Sequence, residues 1–376
     1  MTTVTQSSAA DGLTRGETAM TEAIGRLLDD NASFASLGIE RGKPETWEDG
    51  RRSSEQLAPG EWEWWYMDAH FTNGYMAVAS LNIQGDEHGV NRPFISLNIA
   101  KDGQKVVDQR LPFQAEGMTA AADRADTTLS NSRFRSLDGL NRYHVFIDPA
   151  ENGGYGLDIE LVRTVPPYRP GTGRWDFNGT HFSWLCAVPG ATARGTLTID
   201  GTQVPVEGNG YHDHNWGDVP MDHLLGDWLW GRAEIAGTTV VSFSVRFREI
   251  AGGLEAPLLY VARGEEVLVD AVNAQLTCLE GVKVAHPDTG KRISSDCVYI
   301  IDEGPQAGST ARFNGNKAVV ASFPFTNSSK DWQTWYTRFA ATVSLDVNDA
   351  DGTRLQAADP GTLEVMDFFG RPTERH

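Results

Sequence analysis

The dipeptide Asn73-Gly74, set between the runs WWYMDAHF and YMAVASLNI, is the feature that most narrows what this chain can become. A tight two-residue hairpin turn needs positive φ at both central positions, which Asn and Gly tolerate, so the pair ties two strands together. The pattern recurs. Asp102-Gly103, Asp200-Gly201, Ala236-Gly237 and Asn314-Gly315 punctuate other short runs rich in Val, Ile, Thr, Phe and Trp. Regularly spaced short strands bury one face and avoid long open edges in sandwiches and barrels. The 376 residues suffice for two such units, and the sequence predicts an all-β chain.

The organisation reads as three parts: an arm over 1–48, a first β unit over 49–222 and a second over 223–376, with the seam near Pro220 to Gly226. In the arm, Met20, Ile24, Leu27 and Leu28 fall at helical spacing, which predicts one short amphipathic helix near 17–30. After the arm no amphipathic helix of three turns is visible.

Charge and motifs exclude several function classes. With 51 acidic against 32 basic residues the formal charge is −19, which repels phosphate backbones and gives an anionic membrane nothing to attract. The sequence therefore predicts no nucleic-acid partner and no stable membrane insertion. The first fifteen residues lack the apolar core of a signal peptide. Cys186, Cys278 and Cys297 are sparse and odd in number, which reads as free thiols and a cytoplasmic protein. There is no phosphate-binding loop, no dinucleotide fingerprint, no GxSxG elbow and no HExxH. No metal or organic cofactor is predicted. No oligomeric state is implied.

Three features carry candidate chemistry. The first is Gly208-Asn-Gly-Tyr-His-Asp-His-Asn-Trp-Gly217. On a strand, alternation puts His212, His214 and Trp216 on one face and Tyr211, Asp213 and Asn215 on the other. Flanking glycines allow close approach to a ligand. The competing reading is a hydrogen-bonded structural corner whose histidines satisfy buried groups. The second is Glu61 to Tyr66, followed by Asp68 and His70. Here Trp62, Trp64 and Tyr66 share a face opposite Glu61, Glu63 and Trp65. Glu63 among indoles is expected to have a raised pKa, so that it could act as a neutral carboxylic acid, although aromatic-rich strands are most often core. The third is the total of 11 tryptophans. Aromatic walls suit conjugated or isoprenoid ligands and stabilise a nearby cation.

EWWY at 63–66, HFSWLCAVPGATARGTLTIDG at 181–201, GYHDHNWG at 210–217 and GTLEVMDF at 361–368 resemble the carotenoid 1,2-hydratase and AttH-like family, which also includes lipocalin-like hydratases and decalin-forming Diels–Alderases. The resemblance implies an N-terminal β-sandwich plus a C-terminal lipocalin-like β-barrel, with the ligand pocket at the domain junction. It carries a proton-transfer role onto His214 and Trp216, with His212, Asp213 and Tyr211 in support. The hydratases also use a Tyr and an Asp two apart a little further on, where this chain reads GTTVVSFSVRF at 237–247 and has neither. By position, Glu63, Asn82, Trp230 and Trp335 correspond to groups that polarise a carbonyl in the Diels–Alderases. Trp64, Tyr66, Trp184 and Trp228 complete the expected substrate wall.

The function so implied is a cofactor-free enzyme of terpenoid or polyketide metabolism acting on a large, apolar, polyene-type small molecule. Acid-catalysed hydration of a C=C bond is the first reading, with a Diels–Alder cyclase as alternative. A non-catalytic carrier of a hydrophobic metabolite would need the aromatic walls but not the His-Asp-His segment. On the enzymatic reading, His214→Ala should lower turnover at least about a hundredfold with little loss of stability.

Overall fold

The computed structural model of the chain describes residues 25–285, 292–322, 334–349 and 351–368. Two antiparallel sheets dominate. The first contains Trp62–Phe71 (β1), Tyr75–Gln84 (β2), Phe94–Lys101 (β3), Gln104–Pro112 (β4), Thr180–Ile199 (β5) and Thr202–Gly217 (β6). Its strand order is β4-β3-β2-β1-β6-β5, continuing through 156–163, 142–147, 132–138, 126–129 and 118–120. One sheet of this width curls back on itself, so the two layers of the N-terminal unit are halves of a single half-barrel. Trp65, Leu81, Ile95, Phe134 and Val145 meet in its core.

The second sheet contains Leu225–Ile235 (β7), Thr238–Phe247 (β8), Trp335–Asn348 (β9) and Arg354–Asp367 (β10). Its order is 266–272, 255–263, β8-β7-β10-β9, then 310–322, 296–301 and 276–280. The flanks Glu255–Arg263 and Leu276–Glu280 approach each other, so this barrel is nearly closed around Ile235, Tyr299 and Phe313. The all-β expectation holds. A third apolar cluster, including Trp62, Phe182, Trp184, Trp230 and Phe243, draws on both sheets and fills the seam.

Asn73-Gly74 does join two strands, Trp62–Phe71 and Tyr75–Gln84, but only Gly74 takes positive φ, and the loop is the three-residue Thr72-Asn73-Gly74. Asp102-Gly103, Asp200-Gly201 and Ala236-Gly237 all take positive φ at both positions, the signature of a two-residue hairpin. Asn314-Gly315 does not turn. It lies inside Thr310–Ser322 where the register slips. A Cβ at Gly315 would meet the Phe339 ring at 2.7 Å, so this glycine permits close packing and not a reversal.

Most of the helix expected near 17–30, including Met20 and Ile24, lies outside the described residues, and Leu27 sits in a two-residue strand paired with Trp175. A short helix spans Asn31–Leu37 (α1): Asp30 caps it by accepting from the Ser33 N–H at 2.9 Å, as Asp favours the N-cap, and Gly38 ends it in the left-handed region. Among the described residues no helix is long and apolar enough to cross a membrane. Cys186, Cys278 and Cys297 are free thiols.

Candidate active site

At the seam lies a cavity of about 340 Å³. The first sheet forms its floor, and register aligns the floor side chains in cross-strand rows. One row runs Arg110, Ser96, Ser80, Tyr66, Asp213 across β4, β3, β2, β1 and β6. The row beside it runs Phe94, Asn82, Trp64, Asn215, Trp184, ending on β5. Residues opposite one another point to the same face of a sheet, so all of these look into the same space. The roof comes from the second sheet, where Phe243, Trp230, Glu364 and Arg338 are register partners across β8, β7, β10 and β9.

Asp213 is a buried carboxyl of the floor. Its Oδ2 accepts from Trp184 Nε1 at 2.9 Å and from the Tyr211 hydroxyl at 2.8 Å, and Oδ1 accepts from Asn215 Nδ2 at 3.0 Å. Burial drives its pKa up to about 6 against these hydrogen bonds and the His212 charge, and the nearby Glu364 carboxylate adds to the rise. Glu364 sits in the roof with different company: the hydroxyls of Tyr66 (3.0 Å) and Tyr336 (2.7 Å) donate to its Oε1, and Arg338 Nη1 lies at 3.3 Å. Two carboxyls, one from each sheet, thus face one cavity in unlike environments.

Behind this wall a buried ion cluster joins the sheets. Asp68 of β1 pairs with both Arg232 of β7 and Arg338 of β9, and Arg232 Nη1 also donates to Asn209 Oδ1 at 2.8 Å. His70 completes it, 2.8 Å from Thr362 Oγ1, with its pKa held well below the usual range by burial and by the Arg232 charge. Arg232, Arg338 and Glu364 were absent from the sequence-based site, and Asp68 entered it only as a follower of the Glu61–Tyr66 cluster. Of the first three, only Glu364 falls in a quoted motif, GTLEVMDF.

Trp64, Tyr66, Asn82, Trp184, Trp228 and Trp230 line the cavity, and Asp213 does so among the proposed catalytic residues. Tyr211 stands behind Asp213. The Trp230 indole N–H is buried without a protein acceptor. Asn82 is 5% exposed and its amide hydrogens are spent on Ser80 O, Ser80 Oγ and Phe94 O. It therefore offers the cavity an acceptor oxygen, not the carbonyl-polarising donor expected.

The remaining candidates lie elsewhere. His212, His214 and Trp216 do share a face of β6, but that face turns into the half-barrel core. His214 is fully buried, stacked on Trp65 at 4.8 Å, with Nε2 2.7 Å from Glu63 Oε1. His212 Nε2 is 3.0 Å from Asp49 Oδ2, which also accepts from the Tyr143 hydroxyl at 2.6 Å. Asp49 closes the short turn Thr46–Asp49 and is fully buried. Glu63 accepts the N–H groups of Arg52 (2.6 Å) and Ser53 (2.9 Å). Burial pushes its carboxyl up, as expected from sequence, but His214 and Ser53 outweigh burial and leave the pKa lowered. Glu63 is therefore an ionised structural carboxylate, not a neutral acid of the cavity. Trp335 is buried in β9 one residue out of phase with the cavity-facing Tyr336, so alternation carries it to the opposite face. Among the described residues no group of three or more His, Cys, Asp or Glu side chains is arranged to hold a metal ion.

These features define a lipocalin-like double β-barrel with an aromatic, carboxyl-bearing cavity at its seam. The same fold occurs in CghA with Sch210972 (TM-score 0.63, 13% identity, 92% of this chain and 99% of that one) and in a second crystal structure of CghA (0.62, 14%, 94% and 100%). It also occurs in a Nitrosomonas europaea protein assigned as AttH (0.58, 15%, 85% and 98%). In sequence, hydroxyneurosporene dehydrogenase of Chlorobaculum tepidum is 26% identical over 260 residues, spanning 57% of this chain and 65% of that protein. No protein-family model matches the chain.

Proposed function

We propose that the chain is an enzyme that hydrates a carbon–carbon double bond of a polyene-type small molecule held in the seam cavity, with Asp213 as the proton donor. The observation that carries this reading is the pair of unlike carboxyls, Asp213 raised to about 6 and Glu364 backed by Arg338 and two tyrosine hydroxyls. A carboxyl raised by burial suits proton donation, and a carboxyl facing an arginine across the same cavity suits the opposite role. Neutral Asp213 gives its proton to one alkene carbon, and the adjoining carbon becomes a cation facing the indoles of Trp184 and Trp230. Water then adds. The free Trp230 N–H is placed to hold its oxygen, and Glu364, the cross-strand neighbour of Trp230, takes the proton that water loses. The sum is alkene plus water to alcohol, and proton exchange returns Glu364 and Asp213 to their starting states.

The relative of Chlorobaculum tepidum, by its name, acts on a hydroxylated carotenoid, which fits a polyene substrate. A second reading, a pericyclic cyclase, draws support from the fold shared with a CghA that holds a small molecule. In that case preorganisation lowers the barrier and no proton moves. A carrier has no use for the coupled carboxyls.

Incubation with an acyclic isoprenoid polyene in heavy water, and separately in heavy-oxygen water, separates the three. Hydration places one solvent deuterium on carbon and one solvent oxygen in the product. A cyclised isomer with neither label overturns hydration in favour of cyclisation, and saturable binding without product favours a carrier.

A further inference from the structure

The placement of polar groups in the cavity specifies the ligand. One end has Trp184 on β5 and, above it, Trp230 and Phe243, around Asp213. Toward the open edge of the sheet polar groups gather beside Val78, Phe94 and Leu97: Ser80 on β2, Ser96 and Asn98 on β3, and Asp108 and Arg110 on the edge strand β4. Arg110 and Asp213 close opposite ends of a single row, four strand spacings apart. At about 4.8 Å per spacing this is about 19 Å along the sheet, less whatever the curl removes. The Arg110 guanidinium lies 3.5 Å over the Phe94 ring and donates to Gln84 Oε1 at 2.9 Å. It is a held cation at the mouth of an apolar cavity.

Resting on the reading of this cavity as the substrate site, we infer that the substrate is amphipathic: a long polyene with one uncharged oxygenated end. The oxygen accepts from Arg110 at the cavity mouth, and the reacting double bond lies at the other end of the row, beside Asp213. A pure hydrocarbon would leave the buried Ser80 and the half-buried Ser96 and Asn98 facing apolar carbon, and would give Arg110 nothing to bind. A carboxylate head is disfavoured because Asp108 shares the face of Arg110 on β4 and the chain carries a formal charge of −19.

Quenching of tryptophan fluorescence by three polyenes of one skeleton, all-trans-retinol, retinoic acid and anhydroretinol, tests this directly. The hydroxyl-ended probe should bind at least about tenfold more tightly than the hydrocarbon, with the acid weaker than the alcohol. In Arg110→Leu the alcohol should lose that advantage while the hydrocarbon binds as before. Equal affinity of retinol and anhydroretinol, or an alcohol advantage that survives Arg110→Leu, would overturn the inference and leave the cavity reading intact. Tightest binding by retinoic acid would overturn the uncharged head. Failure of all three to quench saturably would overturn the inference and the cavity reading together.

Discussion

Asp213 and His214 are consecutive in the chain and occupy different compartments: the carboxylate meets the seam cavity, while the imidazole points into the half-barrel core and binds Glu63 at 2.7 Å. Strand β6 is thus a partition, with the cavity and the proposed chemistry on one side and the half-barrel core on the other.

Removing the imidazole should therefore damage the fold. His214→Ala leaves Glu63 ionised, buried and without its partner, and breaking a buried pair from one side costs about 3–5 kcal/mol. Thermal unfolding should show a large fall in Tm, partly restored in the double variant Glu63→Gln, His214→Gln. A His214→Ala protein of unchanged Tm and lost turnover would return this histidine to the chemistry.

Asp213→Asn should do the reverse. Loss of the acid lowers turnover at least about a hundredfold, while the amide oxygen still accepts from Trp184 and Tyr211, so ligand binding is kept. The raised pKa of Asp213 also has a stability consequence: the folded state holds the proton more tightly, so stability declines as pH rises from the ordinary carboxylate range to about 6. Two pKa units correspond to about 3 kcal/mol, an upper bound on what the amide recovers. The variant should melt above the wild type at pH 8 and level with it near pH 4, a comparison calorimetry makes directly.

For the same reason wild-type turnover should fall as pH rises through about 6, where the donor loses its proton. A kcat profile that is flat across this range, or that increases, would remove Asp213 from the donor role.

The core network sets limits on both sides of the pH scale. Glu63 has a lowered pKa, so its contribution is present above the ordinary value of 4.5 and lost as pH falls through the folded-state value. His212 has a raised pKa, because Asp49 outweighs burial, so its contribution is present below 6.5 and lost as pH rises through the folded-state value. Tm should peak between these limits, and Glu63→Gln should flatten the acid limb.

Glu364→Gln should lower turnover about a hundredfold with ligand affinity kept, and should also lower Tm because Arg338 loses a buried counter-charge. A kcat unchanged in this variant would remove Glu364 as the base.

The all-β fold was legible because hairpin turns and period-two runs are local signals. The sharing of a face by His212, His214 and Trp216 was legible for the same reason. Which face meets the ligand was not, since both faces of β6 are largely buried and both are polar and aromatic: one carries Tyr211, Asp213 and Asn215, the other His212, His214 and Trp216. The deciding residue, Asp49, is 163 positions from His212, and nothing in the turn Thr46–Asp49 announces that it will be buried beside a distant strand. Glu63 misled for a related reason: its indole neighbours raise its pKa, but the His214 and Ser53 contacts that lower it come from folding. Asp68 and Arg338 are likewise ordinary charges in sequence and become partners only when the two sheets meet.

That meeting bears on how the molecule can come apart. Asp68 belongs to the first sheet and both of its arginines to the second. If the halves were cut apart, one would carry Asp68 without its two arginines and the other both arginines without Asp68, each in a site shaped to exclude water. Neither half alone is expected to persist as a soluble fragment. Produced together in one cell, the halves should find each other as the pieces of a split reporter do, driven by charges that the other piece neutralises.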